Sequence, residues 1–242
     1  MELPPINVLI PLGGLGTRFQ KEGYLTRPKP FVRVLGKEMI LWVLDNLKLR
    51  SDDGLVLVFD PSWMSMGVFM REIVGEKYPQ ATFVELGGPT RGAAETVLLG
   101  LRGLPSSIRS RPTLLADGDT FYTADVVGRF REVSACPRSH RVPSSLTLVC
   151  SRTPCATSCT QVASTSNAVF CFHDTQPKPI YSYVRLMDDE SGAILETREK
   201  VKISNWANSG CYCFRDGAQL ERECCALLAA GSTQLSQDAV GE

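Results

Sequence analysis

Asn7-Val8-Leu9-Ile10-Pro11-Leu12-Gly13-Gly14-Leu15-Gly16-Thr17-Arg18-Phe19 decides how this chain is read. Residues 8–12 are an apolar run of buried-strand length, and it opens into three glycines within four positions. Glycine lets a backbone approach a ligand closely and adopt positive φ without a Cβ penalty. Bare N–H groups in such a turn can face one concavity and hold an anion. Arg18 follows the turn, and Lys29 sits between Pro28 and Pro30 a few residues later. Two positive charges beside a donor-rich turn predict a phosphate grip at the C-terminal end of the first strand. The dinucleotide fingerprint Gly-x-Gly-x-x-Gly lacks its third glycine here, and no Gly-Lys-Ser/Thr makes the turn a Walker loop.

Outward from this turn, strand-like runs alternate with helical periodicity. Strands are predicted at 8–12, 55–59, 81–86 and Thr113–Ala116, and helices at 39–49, 64–78, 93–104 and 124–133. This rhythm predicts an α/β fold, a mostly parallel central sheet with helices on both faces. Ligands of such sheets bind outside the carboxyl ends of the strands. The glycine turn after the first strand and Asp117 after the fourth are therefore expected on one edge. Residues 134–175, rich in Ser, Thr, Cys and Pro, read as a variable loop or insertion with strand-like runs at 146–150 and 168–172. Strands resume at 181–187, 194–197 and 211–214, with a hairpin turn at 188–192 and a closing helix at 219–230. No internal repeat is present.

The 242 residues are enough to bury a sizeable core. Lys plus Arg and Asp plus Glu number 26 each, so any basic patch is local and no global field invites nucleic acid or an anionic membrane. The 8–12 run is too short for a signal-peptide core, and no run approaches the ~18 apolar residues of a membrane helix. Nine cysteines, an odd count with Cys224 and Cys225 adjacent, do not suit a disulfide framework. Free thiols in a reducing, cytoplasmic setting are the expectation. A zinc site from Cys150, Cys155 and Cys159 with His140 or His173 would lack the usual Cys-x-x-Cys pairs, and incidental cysteines are the preferred reading. Neither histidine has a Ser or Cys nucleophile in a triad-like context.

Leu114-Leu115-Ala116-Asp117-Gly118-Asp119 is the second informative stretch. Two carboxylates at i and i+2 after a buried strand suit Mg²⁺, which usually keeps one or two protein carboxylates alongside substrate phosphates. Asp-Gly also suits a solvated turn. The metal is preferred because the glycine, arginine and lysine element already supplies an anion grip.

Together these stretches resemble the nucleotide-sugar pyrophosphorylases, the sugar-1-phosphate nucleotidyltransferases. Their signature, Gly-Gly-x-Gly-Thr-Arg-Phe/Leu and then Lys-Pro after a short gap, is matched by Gly13, Gly14, Gly16, Thr17, Arg18, Phe19, Lys29 and Pro30. The resemblance implies a Rossmann-like nucleotidyltransferase (GT-A-like) fold. It implies catalytic roles for Arg18, Lys29 and Asp119, with Asp119 the metal ligand. Leu12, Gly13, Gly14, Gly16, Thr17 and Gly92 would surround the nucleotide, and Asp117 would be an auxiliary ligand or a ribose neighbour. Tyr181-Ser182-Tyr183-Val184-Arg185, the pair Glu199-Lys200, and the run from Ser204 to Phe214 resemble the acceptor half of the family. Carried over, Glu199 takes sugar hydroxyls, Lys200 meets the sugar phosphate and Asn208 lines the pocket. Val201 stands where the family usually has proline. The glycine-rich loop from Gly87 to Thr96 resembles the base-recognition loop, but Gly87 replaces a common glutamine and leaves the base open. Gln234-Leu235-Ser236-Gln237-Asp238 loosely resembles a late element that supplies a second metal carboxylate, here Asp238.

What the resemblance implies is one nucleotidyltransferase domain over 1–242, with a nucleotide half to about 133 and an acceptor half from about 176. The implied reaction joins an NTP to a sugar 1-phosphate, giving an NDP-sugar and pyrophosphate, with Mg²⁺ as cofactor. The implied partners are the NTP and a phosphorylated small-molecule acceptor, not nucleic acid or membrane, and a homo-oligomer is left open. Two other readings stay open: a cytidylyltransferase acting on a non-sugar phosphate such as phosphocholine or a polyol phosphate, and a non-catalytic regulatory protein that binds nucleotide sugars.

Overall fold

The computed structural model of the protein describes residues 3–14, 16–23, 27–135, 146–151, 167–187 and 194–238, with backbone alone for Thr17, Arg18, Val133, Ala135, 146–151 and 232–238. Four strands form the parallel core: β1 (Asn7–Leu12), β4 (Gly54–Phe59), β5 (Thr82–Glu85) and β6 (Thr113–Ala116). They lie in the order β5-β4-β1-β6, with Val8 opposite Leu55 on one side and Leu114 on the other. The chain thus winds outward from β1 in one direction and then returns to its other side. That reversal opens a crevice between the carboxyl ends of β1 and β6, the usual ligand position of a doubly wound sheet.

Continuous apolar runs form these strands because both sheet faces are covered. Val8, Ile10, Leu55, Leu57 and Phe59 pack toward α2 (Met39–Asn46), α3 (Met66–Phe69) and α6 (Val126–Ala135), against Ile40, Val43, Leu44, Met66 and Phe130. Leu9, Val56 and Val58 face α4 (Ala93–Arg102) and α7 (Gly217–Asp238), against Val97, Leu98, Leu101 and Leu220. Each such side chain, fully buried, stabilises the fold by about 1.5–3 kcal/mol. Away from the ligand edge, Arg131 of α6 and Asp53, just before β4, form a buried ion pair at 2.5 Å. The same carboxylate accepts the N–H groups of Ile6 and Arg50 at 3.0 and 2.8 Å.

The second half continues the same sheet with the opposite sense. β11 (Trp206–Phe214) runs antiparallel to β6, with Cys211 opposite Ala116, and takes β8 (Asn167–His173) on its other edge. β7 (Leu146–Ser151) pairs with β8, and β9 (Ser182–Leu186) pairs with β10 (Ile194–Glu199) as an antiparallel couple joined to β11 at Ala207. The parallel expectation therefore holds for the core. The later strands are antiparallel because only short stretches of chain separate β9, β10 and β11, and a parallel return needs a connection of about a dozen or more residues.

The strands at 146–150 and 168–172 expected in the variable segment are present as β7 and β8. Three features have no periodic signal long enough to find them. One is the hairpin of β2 (Arg33–Val34) and β3 (Lys37–Glu38), turned by Leu35 and Gly36. The others are α5 (Ser106–Arg109) and a π-helical stretch at Met70–Gly75 within the helix expected at 64–78. The turn at 188–192 lies outside the described residues, as do His140, Cys155 and Cys159. Among the described residues, Cys171, Cys211, Cys213, Cys224 and Cys225 are free thiols, and no helix is long and apolar enough to cross a membrane.

Candidate active site

The glycine turn leaves β1 at the crevice and is followed by the short helix α1 (Thr17–Lys21). Gly13 is required by close approach: a Cβ there would stand 2.4 Å from Thr96 Oγ1 and 3.1 Å from Thr90 Oγ1. The two hydroxyls pair at 2.7 Å, and both lie within hydrogen-bond reach of the carbonyl of Gly92, which caps α4, so one hydroxyl donates to the other and the second donates to that carbonyl. The expected phosphate turn and the expected base loop are thus clamped together at the N-terminus of a ten-residue helix, where backbone donors and the dipole favour anions. Gly16 has φ +61, a left-handed conformation that glycine adopts without strain. Leu12 points into the core at 7% exposure, so only its backbone faces the crevice. The side chains of Thr17 and Arg18 lie outside the described residues, as does that of Asp238 in α7.

Lys29 starts a 3₁₀ turn, Lys29–Phe31, with Pro30 and Phe31 buried. Its ammonium contacts Asp119 Oδ2 and lies 5.3 Å from the centre of the Phe19 ring. The two halves of the sequence signal, the lysine after the glycine turn and the acid after β6, therefore meet in space. Asp117 borders the same crevice. Protein crowded around its carboxylate, with the nearby charge of Asp119 adding and Lys29 opposing, pushes it up to about 6. Asp117 and Asp119 offer hard oxygen donors at i and i+2, and that donor set fits a dication such as Mg²⁺. Among the described residues no group of three or more His, Cys, Asp or Glu forms a metal cluster.

From Asp117 the crevice widens into a cleft with two lobes. The larger, about 700 Å³, is lined by Asp117, Asp119, Thr120–Ala124, Phe172, His173, Tyr181 and Asn208–Gly210. The smaller, about 260 Å³, is lined by Asp117, Ile180, Tyr181, Ser182, Glu199, Lys200, Asn208, Gly210 and Tyr212. Asp117, Tyr181, Asn208 and Gly210 belong to both. All three acceptor candidates, Glu199, Lys200 and Asn208, therefore open onto one lobe that adjoins the carboxylate pair.

Local structure sets each of these side chains. Glu199 ends β10 directly opposite Ser182 of β9, and Ser182 Oγ donates to Glu199 Oε2 at 3.1 Å. Lys200 follows with φ +52, its amide donating to Tyr181 O and its ammonium 3.5 Å from Glu199 Oε1. Asn208 precedes an irregularity in β11. Its Oδ1 accepts the Gly210 N–H at 2.9 Å, so its Nδ2 donates to Tyr212 Oη, also at 2.9 Å. Gly210 has φ +78, and a Cβ there would fall 2.0 Å from Asp117 Oδ2. Tyr122, buried beneath, donates to Ser209 O at 3.1 Å. Behind the site, Asp174 accepts from Tyr183 Oη at 2.6 Å, and Lys202 donates to Asp174 O at 3.0 Å.

Sequence reasoning found the carboxylates, Lys29 and the Glu199–Lys200 pair but not Thr120, Phe121, Tyr122, Phe172, His173 or the hydroxyl of Ser182. Ser182 had no local signal, because it meets Glu199 through the antiparallel register of β9 and β10.

No family model matches the chain, and no curated protein matches it significantly in sequence. Solved structures do match. The nucleoside-diphosphate-sugar pyrophosphorylase from Vibrio cholerae RC9 aligns with a TM-score of 0.62 at 20% identity, over 92% of this chain and 78% of that one. The inositol-1-phosphate CTP transferase from T. maritima aligns with a TM-score of 0.55 at 16% identity, over 88% and 71%. At these identities the likeness is one of fold, and the chain has the fold of these nucleotidyltransferases.

Proposed function

We propose that the protein transfers a nucleotidyl group from an NTP to a sugar 1-phosphate, releasing pyrophosphate. The observation that carries this reading is the contact of Lys29 with Asp119 at the β1–β6 crevice, beside a lobe lined by Glu199, Lys200 and Asn208. The fold shared with a sugar-nucleotide pyrophosphorylase and an inositol-1-phosphate CTP transferase supports it. Residues 1–242 are taken as one functional unit.

The glycine turn would hold the triphosphate through backbone N–H groups from Gly13, Gly14 and Gly16, with Arg18 on the β- and γ-phosphates. Gly92 would bring the base loop to the nucleoside. An oxygen of the acceptor phosphate attacks the α-phosphorus, forming one P–O bond as the α–β bridge breaks and its electron pair leaves with pyrophosphate. That oxygen is already anionic, so no general base is needed, and catalysis is positioning and charge neutralisation. Lys29 would bridge the α-phosphate and the incoming phosphate. Asp119, with Asp117 beside it, would hold Mg²⁺, which when bound offsets charge on the α-phosphate. Glu199 would accept hydrogen bonds from acceptor hydroxyls, and Lys200 would neutralise the acceptor phosphate.

The test is a panel of NTPs against phosphorylated acceptors, sugar 1-phosphates beside phosphocholine and polyol phosphates, read by pyrophosphate release. The expected result is Mg²⁺-dependent release with one sugar 1-phosphate. Lys29→Ala should lower it about 10²–10³-fold, the usual loss for one charge-stabilising donor, with an unchanged circular dichroism spectrum. Near-normal release from that variant would sink the assignment. Release only with a non-sugar phosphate would favour the cytidylyltransferase reading, and nucleotide-sugar binding with no release would favour a regulatory protein.

A further inference from the structure

Lys29 and a divalent cation are rivals for one oxygen. The lysine ammonium contacts Asp119 Oδ2, and both side chains are about one-third exposed, at 34 and 35%. The lysine main chain is held between Pro28 and Pro30, both buried, in a 3₁₀ turn closed by the Val32 N–H on Lys29 O. Any movement of the charge is therefore a movement of the side chain alone. The Phe19 ring flanks the ammonium, its centre 5.3 Å away. Among the described side chains Lys29 is the cation paired with Asp119, and Asp117 adds a second negative charge two residues away.

We infer that Lys29 competes with the divalent cation for Asp119, so that the metal enters with the triphosphate, which draws the ammonium off the carboxylate, and not ahead of it. This rests on the nucleotidyl-transfer reading. A dication on Asp119 and an ammonium on the same oxygen repel at contact distance, so one displaces the other. The triphosphate offers the ammonium a better-matched anion a few ångströms away and at the same time supplies oxygen ligands to the metal. Nucleotide and metal then each strengthen the binding of the other, and reciprocity requires the two factors to be equal. Lys29 would hold back metal in the absence of nucleotide and serve catalysis in its presence.

The test uses the full chain and Mn²⁺ as probe, counting bound ion by electron paramagnetic resonance. It is run alone and with the α,β-methylene analogues of ATP, CTP, GTP and UTP. Without analogue, Lys29→Met should bind Mn²⁺ about five-fold more tightly than the wild type, the upper range for releasing a partly exposed ion pair. With analogue, Mn²⁺ affinity should rise by a larger factor in the wild type than in Lys29→Met. Unchanged or weaker Mn²⁺ binding by Lys29→Met would overturn the inference. So would equal tightening by Arg33→Gln on β2, because general charge would then explain it. Asp119→Asn separates this inference from the reading beneath it. Binding that depends on analogue and on Asp119 yet ignores Lys29→Met refutes the competition alone. Mn²⁺ binding indifferent to both analogue and Asp119 refutes nucleotidyl transfer as well.

Discussion

The parallel and antiparallel halves of one sheet carry the two sides of the proposed site in different ways. In the parallel half, β1 and β4 are buried on both faces, and the site residues stand beyond the strand ends, on the turns that follow β1 and β6. In the antiparallel half, β11 alternates between buried and more open positions and β10 has no buried residue, and the site residues lie on or at the ends of the strands themselves. The first arrangement separates stability from chemistry. The second combines them, because the register that pairs the strands also aims Ser182 at Glu199 and seats Gly210 against Asp117. A change in the parallel core should therefore alter stability and spare the substrate profile, whereas a change in β9–β11 should alter both or the profile alone.

The largest expected effect tests that separation at the end of the parallel half remote from the cleft. Burial raises the Asp53 carboxyl. Arg131, with the amides of Arg50 and Ile6, outweighs burial and holds it below the ordinary carboxylate range. A carboxylate depressed in the folded state adds stability above its unfolded value near 3.9, and that stability is lost as pH falls through the folded value. Asp53→Asn leaves Arg131 buried without its partner, and the expected loss at pH 7 is about 3–5 kcal/mol in urea unfolding. The gap from wild type should narrow as pH falls from the unfolded value near 3.9 through the lower value that Asp53 has in the folded protein. The acceptor KM of the folded variant should stay unchanged. A shifted acceptor KM would mean that the two ends of the parallel sheet are coupled.

The same contrast explains what the sequence made legible. Thr113–Ala116 is a strand with the expected bounds because a short apolar run closed by Asp-Gly-Asp is a wholly local signal. Lys29 and Asp119 come together because they lie in the segments that follow β1 and β6, neighbours in a doubly wound sheet whose order is set by the chain. No local signal places Ser182 beside Glu199, since the antiparallel register decides it across 17 positions. Nor does local pattern reveal that Asn208 is turned by Gly210, because the irregularity in β11 breaks the two-residue period there. His173 and Phe121 joined the cleft wall from strand and loop positions that carry no motif.

A second, smaller effect sharpens the comparison within β11. Gly210→Ala places a Cβ at φ +78 and 2.0 Å from an Asp117 oxygen. Left-handed strain on a residue with a side chain costs about 1–3 kcal/mol, and here the carboxylate must also move. Thermal unfolding should fall accordingly, and turnover should fall further than stability explains, since Asp117 borders both lobes. A variant that lost stability and kept full turnover would show that Asp117 tolerates displacement, and would remove it from the proposed metal set.

The smallest effect is the most specific. Ser182→Ala deletes one hydroxyl that donates to Glu199 Oε2 and leaves Lys200 on the other oxygen. Glu199 is exposed, so little stability is at stake, and the Tm should move by no more than a degree or two. Orientation is what the carboxylate loses. A hydrogen bond of this kind is worth about 0.5–1.5 kcal/mol, which predicts a two- to ten-fold rise in acceptor KM with NTP KM and kcat unchanged. Ser182→Thr keeps the hydroxyl and should restore most of it. If Glu199→Gln raises acceptor KM while Ser182→Ala does not, Glu199 is aimed by Lys200 and the strand alone. If neither does, acceptor hydroxyls are read elsewhere in the cleft, with the Tyr181 and Asn208 wall common to both lobes the next place to look.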